Sequence, residues 1–217
     1  MKIGIVDYGM GNTGSVCTAL TRLGATPVLT ASPEKLGECA GLLLPGVGAF
    51  QPAMARLAEQ NLDKAIRRWV DNERKPLLGI CLGMQLLAKD STEGGLHRGL
   101  SLVEGHVVRL EPAEGLPVPH VGWNEVHADP GNVLFHGIEP GTHFFFDHSF
   151  HLTLSSLDIS CATFDYGGRG LAAFQRGHLF GVQFHPEKSQ VAGAILLKNF
   201  LAFVAGDKSN IHSDHHA

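Results

Sequence analysis

The chain has 217 residues, enough for one domain with a sizeable apolar core that needs no disulfides. Its formal charge is −4 and Lys and Arg form no run, so it lacks the electrostatic footprint of a nucleic-acid binder. No apolar stretch approaches the ~20 residues that span a bilayer. Four scattered cysteines without a C-x-x-C pair argue against zinc and against a disulfide framework. The opening Met-Lys-Ile-Gly-Ile-Val-Asp reads as a strand with an acidic end rather than a signal peptide, and a cytoplasmic protein is expected.

In chain order, a strand over Lys2–Val6 meets a glycine-rich turn, then a helix at 13–23 with Val16, Leu20 and Leu23 on one face. Val28-Leu29 is a short strand. Ser32-Pro33-Glu34 reads as an N-cap with proline at the first helical position. Gly41–Leu44 is a buried strand ended by Pro45-Gly46, followed by helices over 51–59 and 62–72. A strand at 77–80 runs into a helix at 83–89. Such alternation predicts a parallel sheet with helices on both faces. Residues 105–184 are mostly strand-like, with turns at Glu111-Pro112, Asp129-Pro130-Gly131 and Tyr166-Gly167-Gly168. A last helix over 189–204 packs through Ile195, Leu196, Phe200 and Val204. Three of the 13 histidines sit in 211–217, and 206–217 reads as a disordered, solvated end rather than a metal-binding tail. No metal site is expected.

The chemistry concentrates in Gly79-Ile80-Cys81-Leu82-Gly83, where a strand ends in G-x-C-x-G and turns into a helix. This is the cysteine form of a nucleophile elbow, whose tight turn needs small flanking residues. The helix start lowers a thiol pKa and offers backbone N–H groups to an oxyanion. Cys17, Cys39 and Cys161 lack such flanks and read as inert packing. A thiol needs a base, and Gly181–Phe184 leads into His185-Pro186-Glu187. Taken as an extended segment, His185 and Glu187 face the same side, toward the cysteine, while Pro186 faces away. Cys, His and Glu in this order point to acyl transfer. Gly9-Met10-Gly11-Asn12-Thr13-Gly14 matches the dinucleotide fingerprint G-x-G-x-x-G, but the second strand lacks the acidic residue that would hold a ribose, so NAD is not expected. No G-x4-G-K-[ST] occurs.

Cys81 in G-I-C-L-G-M-Q with His185-Pro186-Glu187 resembles the class I (triad-type) glutamine amidotransferases. Asp7–Asn12, Leu44–Phe50, Pro119–Asn124 and Gly181–Gln190 further resemble the glutaminase subunits of imidazole glycerol phosphate synthase, over residues 1 to about 204. The resemblance implies an α/β, single-domain flavodoxin-like fold over 1–205, with a mostly parallel central sheet flanked by helices. It implies a Cys81–His185–Glu187 triad that hydrolyses glutamine to glutamate and ammonia without a cofactor. Leu82 N–H is one expected oxyanion donor, and the second is expected from Gly46, Val47 or Gly48, a segment that reorients in relatives. Gly48, Gln85, His148, Ser149 and Phe150 are expected to hold the substrate. Relatives typically carry Tyr-Phe-Val-His-Ser-Tyr at 145–150, and this chain has Phe-Phe-Asp-His-Ser-Phe, with Asp147 and Phe150 as departures.

Ammonia released into water is lost, and the glutaminase domain fills this chain, so a separate acceptor subunit is expected. By resemblance it is a (β/α)8-barrel cyclase of histidine biosynthesis, contacted by Met10, Gly11, Asn12, Trp123 and Lys188. Two other readings are a paralogue that feeds ammonia to surface-polysaccharide sugar synthesis and, in another class, a silent regulatory subunit. The second predicts a broken triad, and this one is intact.

Overall fold

The computed structural model describes residues 1–112, 115–155 and 159–207. Of the tail expected at 206–217, residues 208–217 lie outside them, while Gly206 and Asp207 belong to the turn that ends the last helix. In chain order the elements are β1 (Lys2–Val6), α1 (Thr13–Arg22), β2 (Thr26–Thr30), α2 (Pro33–Gly37), β3 (Gly41–Gly46), α3 (Phe50–Glu59), α4 (Leu62–Asp71), β4 (Leu77–Cys81) and α5 (Leu82–Leu86). There follow β5 (Asp90–Ser91), β6 (His97–Arg98), β7 (Gly105–Arg109), β8 (His120–Ala128), β9 (Thr142–His148), β10 (Phe150–Leu154), β11 (Ser160–Asp165), β12 (Arg169–Arg176), β13 (Leu179–Val182) and α6 (Gln190–Val204). Single 3-10 turns occupy Val133–Phe135 and Pro186–Lys188.

Nine strands form one sheet in the order β2-β1-β3-β4-β13-β12-β11-β8-β9. The pairings from β2 through β13 are parallel. Those from β13 out to β9 are antiparallel. The central sheet is therefore α/β with helices on both faces, as expected, and carries an antiparallel wing built from the strand-rich second half. A smaller sheet, β10-β7-β5-β6, covers part of one side; the sequence pattern predicts strands for β7 and β10, within 105–184, without separating them from the main sheet, and none for β5 and β6.

Alternation along the strands decides which face each residue joins. Ile3, Ile5, Leu43, Leu78, Ile80, Phe180 and Val182 pack with Val16 and Leu20 of α1 and with Leu196 and Phe200 of α6. Val6, Leu42, Leu44, Leu77 and Leu179 pack on the opposite face with Leu36, Phe50, Leu57, Ile66 and Trp69 of α2, α3 and α4. Val107 and Leu152 tie the small sheet to that second core.

Local chemistry accounts for the helix ends. Ser32 Oγ accepts from Lys35 N at 3.3 Å, with Pro33 opening α2 as the sequence predicts. Helix α6 ends in a Schellman turn, in which Gly206 adopts φ +71° and Asp207 N donates to Ala202 O at 3.1 Å. Helix α5 stops at Leu86, short of the expected 89. The carbonyls of Leu86, Leu87, Ala88 and Lys89 instead accept from the backbone of residues 99–103, so the chain leaves the helix to pair with its own return.

Three parallel strands, β3, β4 and β13, deliver their C-terminal ends to one edge. Gly46 pairs with Cys81, and Val182 with Ile80. Crevices beyond such strand ends are where open α/β sheets bind ligands.

Phe200 is fully buried on α6, edge-on to Phe180 at 5.7 Å. Phe200→Ala is expected to cost about 3–5 kcal/mol in urea unfolding. A loss below about 1 kcal/mol would mean that this face of the core is not close-packed.

Candidate active site

Cys81 is the junction of β4 and α5, with φ +54° and ψ −113°, a conformation that costs a non-glycine residue strain. Its neighbours make the turn possible. A Cβ on Gly83 would lie 1.7 Å from Leu44 O, and one on Gly79 would lie 2.8 Å from Gly83 O and Met84 N. Glycine at both positions lets α5 pack directly on β3 and β4, which is the physical content of G-x-C-x-G. Cys81 is 6% exposed, so the sulfur is reached only through the cleft above it.

The base arrives from β13, but not on an extended segment. His185 is extended, with φ −100° and ψ 95°, and Pro186 then begins a 3-10 turn that holds Glu187. Proline favours that first position, so the turn, not a two-residue repeat, brings Glu187 Oε1 to 2.9 Å from His185 Nδ1. Pro186 is buried, and its carbonyl would lie 1.9 Å from a Cβ on Gly193, which sets the turn tightly on α6. Ser189 Oγ donates to His185 O at 2.7 Å and accepts from Phe145 N at 3.0 Å, while His185 N donates to Phe145 O at 2.9 Å. His185 is thereby clamped to β9. Burial by itself would lower the His185 pKa, but hydrogen bonds to Cys81 and Glu187 and the attraction of their charges prevail and raise it to about 10. A carboxylate only accepts, so Nδ1 carries its proton toward Glu187 and Nε2 is left for the sulfur.

Above Cys81 lies a cleft of about 290 Å³ lined by Val47, Gly48, Leu82, Gln85, Glu93, Pro119 and His185, and by Asp147 to Phe150. Every residue expected to hold the substrate therefore borders one cavity. Leu82 N opens α5 beside the sulfur. Gly46 is buried between Tyr8 and Leu82. Val47 N–H donates to Met10 O at 3.4 Å in this conformation, so that amide is committed away from the sulfur. Gly48 has φ +100°, and a Cβ there would lie 3.0 Å from Met10 Cε. Both hydrogens of Gln85 Nε2 are spent, on Phe150 O at 2.8 Å and Gln183 Oε1 at 3.1 Å, so Gln85 offers a ligand its Oε1.

Three residues of the site were not singled out in the sequence. Gln183 is fully buried and its Nε2 donates to Cys81 Sγ at 3.8 Å. A glutamine inside the apolar run Leu179–Phe184 was the available signal. Tyr8 donates to Pro45 O at 2.9 Å, and burial together with the Cys81 charge pushes its hydroxyl well above the ordinary phenol range. Glu93 accepts from Phe50 N at 2.8 Å and brings a carboxylate to the cleft wall. Tyr8 lies within the quoted Asp7–Asn12 segment, which marked its loop but not its hydroxyl's partner, and Glu93 had no distinguishing sequence pattern. The arrangement can perform nucleophilic acyl chemistry: a sulfur, an imidazole oriented by a carboxylate, a backbone donor and a cleft that holds them together.

Residues 4–203 match the profile of the family described as glutamine amidotransferase class-I. The chain belongs to this family. Among characterised relatives, the imidazole glycerol phosphate synthase subunit HisH of Moorella thermoacetica is 50% identical over 198 residues, covering 91% of this chain and 93% of that one. The subunit of the same name from Geobacillus kaustophilus is 45% identical over 94% and 98% of the two chains. Among solved structures, one titled as a glutamine amidotransferase superposes with a TM-score of 0.74 at 20% identity, covering 94% and 98%. A chain of the PurLQS structure from Thermotoga maritima gives 0.71 at 18% identity, again covering 94% and 98%. At such identities these two speak to the fold alone.

In this amidotransferase none of the residues expected at a partner contact lines the cleft itself, although Lys188 and Met10 lie in segments joined to its wall. Trp123 is 47% exposed and meets Phe145 edge-on at 6.0 Å. Lys188 Nζ lies 5.4 Å over the same Phe145 ring. Val121, exposed one register step away, extends this apolar face. Met10, Gly11 and Asn12 are half-buried in the loop whose Met10 carbonyl holds Val47 N–H. No helix among the described residues is long and apolar enough to cross a membrane.

The raised pKa of His185 also ties stability to pH. Because the folded value exceeds 6.5, the imidazolium stabilises the protein fully below pH 6.5, and that contribution fades as pH rises toward about 10. Glu187→Gln removes one of the groups that raise it, leaving burial less opposed. A proton NMR titration is then expected to show His185 titrating markedly lower than in the parent protein. An unchanged midpoint would contradict the ion-pair account.

Proposed function

We propose that this chain is the glutaminase subunit of an imidazole glycerol phosphate synthase, releasing ammonia from glutamine for a cyclase subunit. The observation that carries the chemistry is the strained Cys81 facing the His185–Glu187 pair across one cleft. The pathway is supported by identity over nearly the whole length to subunits that carry that name.

In the proposed cycle, His185 Nε2 holds the proton of the Cys81 thiol while the sulfur attacks the side-chain amide carbon of glutamine. The C–S bond forms and the carbonyl pair moves onto oxygen, facing Leu82 N–H. A second donor comes from Gly46, Val47 or Gly48, once Val47 N–H leaves Met10 O. The oxygen pair then re-forms the carbonyl, the C–N bond breaks, and the imidazolium hands its proton to the departing ammonia. A water attacks the thioester with His185 as base, giving glutamate and restoring the thiol. Glu187 orients the ring and stabilises the charged form. Gln85 Oε1 and the Glu93 carboxylate suit the ammonium end of the substrate, and His148–Phe150 supply backbone along the cleft.

The partner is a (β/α)8-barrel cyclase docked on the face formed by Trp123, Lys188, Val121 and the Met10–Asn12 loop. Because Met10 O holds the Val47 amide, contact there bears directly on the oxyanion segment. The compartment follows the pathway and is the cytoplasm, and residues 1–205 act as one glutaminase domain.

Glutamate release should be weak for the chain alone and rise about tenfold or more when a cyclase partner and its nucleotide substrate are both added. Cys81→Ser should lose at least about three orders of magnitude. Full activity in Cys81→Ser would overturn the enzyme mechanism. No rise with that partner, while the chain still turns over glutamine, would overturn the pathway.

A further inference from the structure

Two histidines near the cleft are built differently from His185. His120 on β8 and His148 on β9 are cross-strand partners in the antiparallel register, and both are buried. His120 Nδ1 lies 3.0 Å from His148 Nε2, and His148 Nδ1 lies 2.9 Å from Phe150 O. Asn124 Nδ2 lies 3.3 Å from His120 Nε2 and also donates to Asp165 O at 2.7 Å. The Asn124 amide cannot flip, because its Oδ1 accepts from Glu125 N at 2.8 Å.

These contacts fix every proton. A carbonyl only accepts, so His148 Nδ1 carries a hydrogen. Burial lowers the pKa of His148 to about 3 and of His120 to about 4, so both rings are neutral near pH 7 and each holds one hydrogen. His148 Nε2 is then bare and must accept from His120 Nδ1–H. His120 Nε2 is bare in turn and accepts from Asn124. The ring of His120 is held in plane by Tyr166 on one contact at 4.0 Å and Phe146 on another at 4.8 Å, both near-parallel.

The far end of this relay is the substrate cleft. Phe150 O accepts from His148 and from Gln85 Nε2, and Gln85 passes its other hydrogen to Gln183, which donates to Cys81 Sγ. We propose that His120, oriented by Asn124, is a positioning residue of the glutaminase site: its Nδ1–H locks His148 in the tautomer that holds the Phe150 carbonyl, and through that carbonyl fixes Gln85. The inference rests on the glutaminase reading for its kinetic consequence, while the tautomers are a property of the folded chain.

The test has two arms on the full-length protein. In 15N-histidine NMR at pH 7, His120 and His148, assigned by single substitution, should each show a protonated Nδ1 and a bare Nε2. A protonated His148 Nε2, or a charged ring at either position, would overturn the proposal. In kinetics with the cyclase subunit present, His120→Phe keeps the stacking but loses the donor. It should raise the glutamine KM about tenfold with kcat changed far less. His120→Asn places an amide N–H where Nδ1 stood and should recover most of the loss. Reduced thermal stability in both variants with KM unchanged would mark a merely structural residue and overturn the proposal. Absence of glutamine hydrolysis by the parent protein would sink the glutaminase reading and the kinetic consequence together, and the nitrogen shifts would still decide the tautomers.

Discussion

The structure depends on one close approach, the packing of α5 against β3 at Gly83. With only hydrogen at that Cα, the first turn of α5 sits against the Leu44 carbonyl, and Cys81 is forced to positive φ at the end of β4. Everything else in the site is placed relative to that corner. The neighbouring parallel strands bring Gly46, paired with Cys81, from one side, and from the other β13, paired up to Val182–Ile80, leads on to His185. The large hydrophobic faces on both sides of the sheet hold the corner, so the local strain is met by burial elsewhere.

The site uses histidine in two opposed ways. His185 is paired with a buried carboxylate and is held charged over most of the physiological range. His120 and His148 have no carboxylate among their hydrogen-bond partners, and burial keeps them neutral, so each is a directional donor–acceptor. In the proposed cycle one histidine moves protons, and the proposed part of the other two is to orient groups that line the cleft. β9 links the two sets, since Phe145 clamps His185 and lies under Trp123 and Lys188, while His148 ends the same strand. A partner on the Trp123 face would therefore press on the strand that clamps His185 and ends in His148.

Much of this was legible in the residues. The elbow was readable because G-x-C-x-G states a steric requirement in letters, and the helices of the first half because apolar spacing and the Ser32-Pro33 cap carry local signals. What escaped depends on distant partners. The end of α5 is set by residues 99–103, and the separation of the small sheet from the large one by pairing between β7 and β10. The turn at Pro186 was misread as extended because a proline fits either conformation, and only packing on Gly193 selects one. Gln183, Tyr8 and His120 act through hydrogen bonds to residues 37 to 102 positions away or across a strand pair, and no local pattern reports such contacts.

The central claim is that Cys81 is the reactive group and the other three cysteines are packing. Treating the protein with a glutamine-like diazoketone and mapping the adduct by mass spectrometry tests it directly. The account predicts one adduct per chain, on Cys81, blocked by excess glutamine. Labelling at Cys17, Cys39 or Cys161 with Cys81 untouched would contradict it.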